Sequence, residues 1–123
     1  MIFRYFDISK NIVDTRIFYV YTGYMKHEDA AKRLSELGNT TRLAIFRYLV
    51  KVGPEGVPVG QIQKALGIPG STGAHHISRL MSVGLIKQDR PSRTLYCTAH
   101  YSALRELIDF LQSECCVGIA ECN

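Results

Sequence analysis

Three cysteines crowd the end of this chain: Cys115, Cys116 and, after five intervening residues, Cys122. Three thiolates suit a soft trivalent centre such as As(III) or Sb(III), whose lone pair takes the fourth direction, whereas zinc wants a fourth ligand. Cys97 or Glu121 would supply one, so Cd(II) and Zn(II) stay open. So does a redox switch in which two of the thiols join as a disulfide. A purely structural account makes Cys115 a buried apolar residue and the other two incidental, which fits poorly with three cysteines in eight residues. Cys97, in a β-rich run, reads as a small buried apolar residue and is left out of the site.

A second group of residues has the chemistry of phosphate and base contact. Between Ser71 and Arg93 the charged residues are Arg79, Lys87, Arg90 and Arg93 against a lone Asp89, with His75 and His76 beside them. After His100 the balance reverses, Arg105 facing Glu106, Asp109, Glu114 and Glu121. One part of the fold is therefore suited to a polyanion and another is not. Adjacent histidines make a poor metal site, because neighbours on a helix point about 100° apart.

The elements that must position these groups follow from the apolar period. Met25 precedes a polar, acidic opening, Lys26-His27-Glu28-Asp29, as at a helix start. Ala30, Leu34 and Leu37 form one stripe, closed by Gly38. Asn39-Thr40-Thr41 can cap a second helix with Leu43, Phe46, Leu49 and Val50 as its core residues. Gly53-Pro54-Glu55-Gly56 must be a loop. Pro58 fits the first turn of a short third helix, with Val59, Ile62 and Leu66 inward and Gly67 at its end. Ile68-Pro69-Gly70 then makes a tight connection to a fourth helix, capped by Ser71, with Ala74, Ile77, Leu80 and Met81 buried and Thr72, His75, His76, Arg79 and Ser82 outward.

Two β-rich runs follow, Leu85 to Asp89 and Thr94 to Thr98, joined by Arg90-Pro91-Ser92-Arg93 into a hairpin with a basic tip. The last helix is expected from about Tyr101 to Cys115, its seam of Tyr101, Leu104, Ile108, Leu111 and Cys115 meeting a second subunit. On such a helix Cys115 and Cys116 diverge, so joint capture of an ion requires the helix end to unwind, a step that Gly118 eases.

Two short helices joined by a glycine-containing turn, the second polar outside and followed by a basic hairpin, spell a winged helix-turn-helix: mainly α with a small β-hairpin. Ser71 to Ser82 would lie in the major groove, with Ser71, Thr72, Gly73, His75, His76 and Arg79 at the DNA, while Arg90, Ser92 and Arg93 reach the backbone or minor groove. Small residues at 70–73 let the backbone approach phosphate at the helix N-terminus. Taken alone, the polar face is also what any solvated helix shows; the hairpin beside it decides for DNA.

Residues 31–114 resemble the ArsR/SmtB family of metal-responsive repressors, through Leu37-Gly38-Asn39-Thr40-Thr41-Arg42-Leu43-Ala44-Ile45, Ser71 through Leu80, and Gly84-Leu85-Ile86. The resemblance implies a homodimer paired through its first and last helices, with two recognition helices one DNA turn apart. Where the family often has serine two residues before the recognition-helix histidine, this chain has Ala74 before His76, which leaves that contact to Ser71, Thr72, His75 and Arg79. The family's cysteine pattern in the third helix is absent from Val59 to Leu66. Its zinc site across the last helices is half present, the matching positions being Thr98, His100, Leu111 and Glu114. Cys115, Cys116 and Cys122 instead resemble the ligands of a minority of arsenite-responsive members. This implies a repressor that leaves operator DNA when it captures As(III), with Sb(III) or Cd(II) as further inducers and no permanent cofactor.

With 123 residues, 46% of them hydrophobic, the chain is long enough for one core and too short for two ordinary domains. The reading divides it into an extension at 1–24, a winged-helix and dimerisation domain at 25–115, and a cysteine-bearing tail at 116–123. The extension carries seven of the twelve aromatic residues; either Met25 is the native start, or Ile17 to Tyr21 forms a strand or arm. A net charge of +4 with a pI near 9.0 favours polyanionic partners without choosing one. No run approaches the roughly 20 apolar residues of a membrane span, and no signal pattern opens the chain. A cytoplasmic protein with reduced thiols is expected. No Ser-His-Asp set, glycine-rich phosphate loop or Cys-x5-Arg loop is present, so an enzyme is not expected.

Overall fold

Gly38 closes one helix and Asn39 opens the next, its side chain accepting from the Arg42 backbone N–H at 3.0 Å. Around such caps the computed structural model, which describes residues 25–115, 117 and 118, sets out five helices and three short strands among those residues. They run α1 (His27–Leu37), α2 (Thr40–Val52), β1 (Val57–Pro58), α3 (Val59–Leu66), α4 (Gly70–Ser82), β2 (Ile86–Asp89), β3 (Tyr96–Ala99) and α5 (Tyr101–Gln112). The extension at 1–24, with the alternative of a strand at 17–21, lies outside the described residues, as does the tail apart from 117 and 118.

Several boundaries differ from expectation, each for a local reason. Val57 and Pro58 form a strand against β3, so the hairpin becomes a three-stranded antiparallel sheet of order β1-β3-β2, and Pro58 stands one residue before α3. A two-residue strand carries no period that a sequence can display. Ser71 does not cap α4: the helix begins at Gly70 with Pro69 outside it, and its first bond runs from the Gly73 N–H to the Pro69 carbonyl at 2.8 Å. Proline at φ −59° is already set for helix entry, so Ser71 is left pointing to solvent. The last helix stops at Gln112, three residues short of Cys115. There the Ser113 hydroxyl donates to the Phe110 carbonyl at 2.7 Å, the local competition that ends helices, and Glu114 turns the chain at φ +58°.

Ile45, Leu49, Ile62, Leu80, Leu85 and Cys97 form the fully buried centre, drawing α2, α3, α4 and the sheet onto one core. Leu43, Val50, Ala74 and Met81, expected inside, are exposed. Their helices carry apolar residues on two faces, and spacing alone does not say which one meets the chain's own core. The same holds in α5, where Ala103 and Leu107 turn inward while Tyr101, Ile108 and Leu111 point out. Arg33 of α1 knits the ends together. Its Nε donates to the carbonyl of Val83, the C-cap of α4, at 3.1 Å, and its Nη1 donates to the Ala103 carbonyl and to Glu106 in α5.

Candidate functional site

Gly67, in the left-handed region at φ +66°, ends α3 and starts a three-residue turn to α4. The two helices cross closely: a Cβ at Gly73 would stand 2.8 Å from Gln63 Cγ. Gly73 is therefore buried against α3 and not on the outer face, a correction to its expected DNA contact. Taking about 100° per residue, the buried Gly73, Ile77 and Leu80 define the inner side of α4, and Ser71, His75, Ser78 and Ser82 stand opposite them. Thr72 and Arg79 lie on one flank of that outer face, and all of these outward residues are exposed. Ser78 was missed by pattern reading, although a helical projection from Ile77 and Leu80 places it there. No side chain caps the first turn, so its N–H groups and the helix dipole remain available to an anion.

The wing projects Arg90, Ser92 and Arg93 from the end of the β2–β3 hairpin, all three exposed, with Arg90 Nη1 donating to the Arg93 carbonyl across the tip. Four of the six expected recognition-helix residues thus reach solvent, as do all three expected wing residues. The exceptions are Gly73 and His76, which is half-buried.

Behind the outer face lies a charged cluster that the sequence concealed. Glu36, near the end of α1, is buried, and its two oxygens accept from Arg79 Nε at 3.1 Å and Arg79 Nη2 at 2.8 Å. Arg42 Nε lies 3.1 Å from Glu36 Oε1 and donates to the Glu36 backbone carbonyl at 2.6 Å. Arg42 Nη1 also stands 3.2 Å from His76 Nδ1; because a guanidinium only donates, Nδ1 is the acceptor and the ring is neutral with its proton on Nε2. Burial lowers the pKa of His76, and the cations of Arg42, His75 and Arg79 lower it further. The hydrogen bond from Arg79 holds Glu36 below the usual carboxylate range despite its burial, and the charges of Arg79, Arg42 and His75 add to it.

Both shifts have the same sign for stability. A pKa lower in the folded chain than in the unfolded one gives stability that is present above the unfolded value and lost as pH falls through the folded one. Melting temperature should accordingly fall on acidification, first below about pH 6.5 as His76 resists protonation, then below about 4.5 as Glu36 is neutralised. His76→Gln should remove the first phase in a series of thermal melts; an unchanged profile would show that His76 does not control it.

The thiols divide between two settings. Cys97 is fully buried in β3, with Gln88 Nε2 donating to its sulfur at 3.3 Å, and burial pushes its thiol pKa up. It is packing, as the sequence suggested. Cys115 is exposed, three residues beyond α5, so it lies neither in the apolar seam nor on a helix that must unwind. That corrects both expectations. Cys116 and Cys122 lie outside the described residues, and among the described residues no group of three or more His, Cys, Asp or Glu is placed to hold a metal ion. His100, which with Glu114 makes up the surviving half of the alternative zinc set, has its Nδ1 2.9 Å from the Gly84 carbonyl. No described helix is long and apolar enough to cross a membrane.

Comparison with known proteins points the same way. A family model described as a helix-turn-helix domain matches residues 37–89. YbzH of Bacillus subtilis (strain 168), an uncharacterized HTH-type transcriptional regulator, is 30% identical over 90 residues, which span 63% of this chain and 90% of that protein. Among solved structures, the chain is similar to the homodimeric winged helix-turn-helix DNA-binding domain of Mb0332 from Mycobacterium bovis, described as a possible ArsR-family transcriptional regulator. The TM-score is 0.56 and the identity 26%, over 71% of this chain and 81% of that one. Reduced HlyU from Vibrio cholerae N16961 shares the fold, with a TM-score of 0.53 and 23% identity over 70% of this chain and 90% of that one.

Proposed function

Because this chain belongs to the helix-turn-helix family of transcriptional regulators, we propose that it is a homodimeric repressor of the ArsR type, held on operator DNA by α4 and the wing and released when As(III) or Sb(III) is captured by Cys115, Cys116 and Cys122. The observation that carries the DNA-binding half is the outer face of α4: Ser71, Thr72, His75, Ser78 and Arg79 are exposed together on a helix whose opposite side is the core. Side chains of this kind hydrogen-bond to base edges and phosphates, and Arg90, Ser92 and Arg93 extend the contact from the wing. The homodimeric neighbour and the outward Tyr101, Ile108 and Leu111 support pairing through α5, with Leu34 of α1 exposed beside them in kind.

The exposure of Cys115 supports the sensing half, together with the presence of two more thiols within the next seven residues. Arsenite captured there loses its three hydroxyls as water while three thiols give up their protons, and no electron is transferred. The chain has already left the helix at Ser113, so capture closes a loop on the segment after α5 without first unwinding it. Leu111 and Val117, both exposed at that end, are the part of the dimer face that such a loop disturbs. A change in subunit pairing then spoils the match of two recognition helices to successive grooves.

The test is a DNA-binding titration with arsenite, zinc and peroxide on the wild type and on Cys115→Ser, Cys116→Ser and Cys122→Ser. Arsenite should weaken wild-type binding roughly 5- to 150-fold, the span of ordinary allosteric coupling, and each serine should remove most of that response. Release by peroxide alone would replace this reading with a thiol-redox switch. Release by zinc or cadmium through the same thiols would change the inducer, and an arsenite response that survives the loss of any one thiol would overturn the three-thiolate site.

A further inference from the structure

Glu36 stands where local chemistry does not favour a carboxylate. It occupies the last turn of α1, where the backbone carbonyls carry partial negative charge and a cation would be stabilised. Arg42 is misplaced in the opposite sense, in the first turn of α2. Both side chains are shielded from water, at 10% and 13% exposure, so solvation does not account for them either. The carboxylate is instead shared by two cations, Arg42 beside it and Arg79 on a third element, α4.

The grip on Arg79 is specific. Two parallel hydrogen bonds engage its Nε and Nη2, fixing the plane of the guanidinium, while the side chain stays 48% exposed and its Nη1 makes no hydrogen bond among the described residues. An unrestrained arginine samples many rotamers, and on a DNA surface it meets the nearest phosphate without regard to sequence. An arginine clamped on one edge by a carboxylate has part of its charge balanced, here by a Glu36 that Arg42 shares. It keeps a directed pair of donors on the other edge, which is the requirement for reading a base.

We propose that Glu36 is a positioning residue for DNA recognition, holding Arg79 so that its Nη1 edge meets base edges in the major groove. The proposal rests on the DNA-binding reading given above and adds to it a residue outside the helix-turn-helix. Glu36 lowers the general attraction of α4 for phosphate and raises its discrimination between sequences.

The experiment uses the full chain and two duplexes of equal length: one enriched by wild-type protein from a randomised library, the other a scrambled version of it. Affinity and its salt dependence are measured for wild type, Glu36→Gln, Arg79→Ala and the double variant. Glu36→Gln should cut the ratio of enriched to scrambled affinity by roughly 5- to 150-fold, the discrimination of one good bidentate base contact. It should not weaken binding to the scrambled duplex, and it should steepen the salt slope there by about 0.9 as Arg79 turns to phosphate. In the Arg79→Ala background the same exchange should leave the ratio unchanged. Equal weakening on both duplexes, or a loss of ratio that persists without Arg79, would reduce Glu36 to a structural role and overturn the proposal. Should Glu36→Gln fail to fold by circular dichroism, Arg79→Lys decides, since an ammonium keeps the charge and loses the two-pronged clamp: a lower ratio is expected, and an unchanged one overturns the proposal. A wild type that enriches no duplex and binds the scrambled one no better than a neutral protein would instead sink the DNA-binding reading itself.

Discussion

Ile108→Glu should convert the protein to folded monomers and weaken operator binding by roughly 10²- to 10⁴-fold, the gain that linking two binding modules ordinarily provides. The argument begins with the two faces of α5. Ala103 and Leu107, four residues apart, are buried against the chain's own core, while Ile108, about 100° round the helix from Leu107, is 41% exposed. A glutamate at 108 therefore keeps a path to water in the folded subunit. At a helix-paired interface it would have to lose its hydration among apolar side chains, a cost large enough to abolish association. Sedimentation equilibrium should report one subunit mass, and circular dichroism should be unchanged. Leu107→Glu is the control, because its side chain faces the core and its exchange should unfold the subunit. If Ile108→Glu sediments as wild type does and binds DNA equally well, the proposed pairing through α5 is wrong.

The same contrast explains what could be read in advance and what could not. Those helix starts and stops were legible that depend on a single residue with one dominant preference: Asn39 as a cap, Gly67 in a left-handed conformation, Gly84 likewise at φ +79°. Part of the outward set of α4 was legible too, Ser71, Thr72, His75, Arg79 and Ser82 being exposed as expected, while Gly73, His76 and Ser78 were not placed correctly. Burial within two-faced helices was not. Leu43 and Val50 keep helical spacing with Leu49 and Phe46, yet the core is closed by Ile45, Phe46 and Leu49. The continued spacing from Leu111 to Cys115 likewise suggested more helix, until Ser113 bonded back to Phe110.

Glu36 and Gly73 were illegible for a deeper reason. A glutamate between Ser35 and Leu37 looks like ordinary solvent-facing helix, and it is the fold that brings Arg42 and, from more than forty positions away, Arg79 against it. Gly73 looked like a residue kept small for a phosphate, and it is kept small for Gln63. Both depend on which elements meet, which no local pattern records. The function class survived these errors because it rests on the order of elements and on what α4 turns outward, and neither depends on those two positions.

Gly56→Ala tests the join on which the wing depends, and a loss of about 2–6 kcal/mol in folding stability is expected from it. Residue 56 has φ +74°, which costs an L side chain on the order of 1–3 kcal/mol. A Cβ there would also lie 2.6 Å from the Cys97 carbonyl oxygen and 2.5 Å from Thr98 Cγ2. The threonine methyl can rotate away, but the carbonyl cannot, because Cys97 is paired with Val57 on one side and Gln88 on the other. Relief requires β1 to leave the sheet, and overpacking of this kind typically adds about 1–3 kcal/mol. Against a domain stability of about 5–15 kcal/mol the variant should show a far lower urea midpoint. Gly53→Ala separates the two contributions, since φ there is +98° and nothing stands within 4 Å of the added carbon. It should carry the conformational cost alone. If the two variants unfold at the same urea concentration, β1 is not what anchors β3, and Arg90 and Arg93 at the far end of that strand pair must be held in place relative to α4 by the Leu85 and Ile86 packing instead.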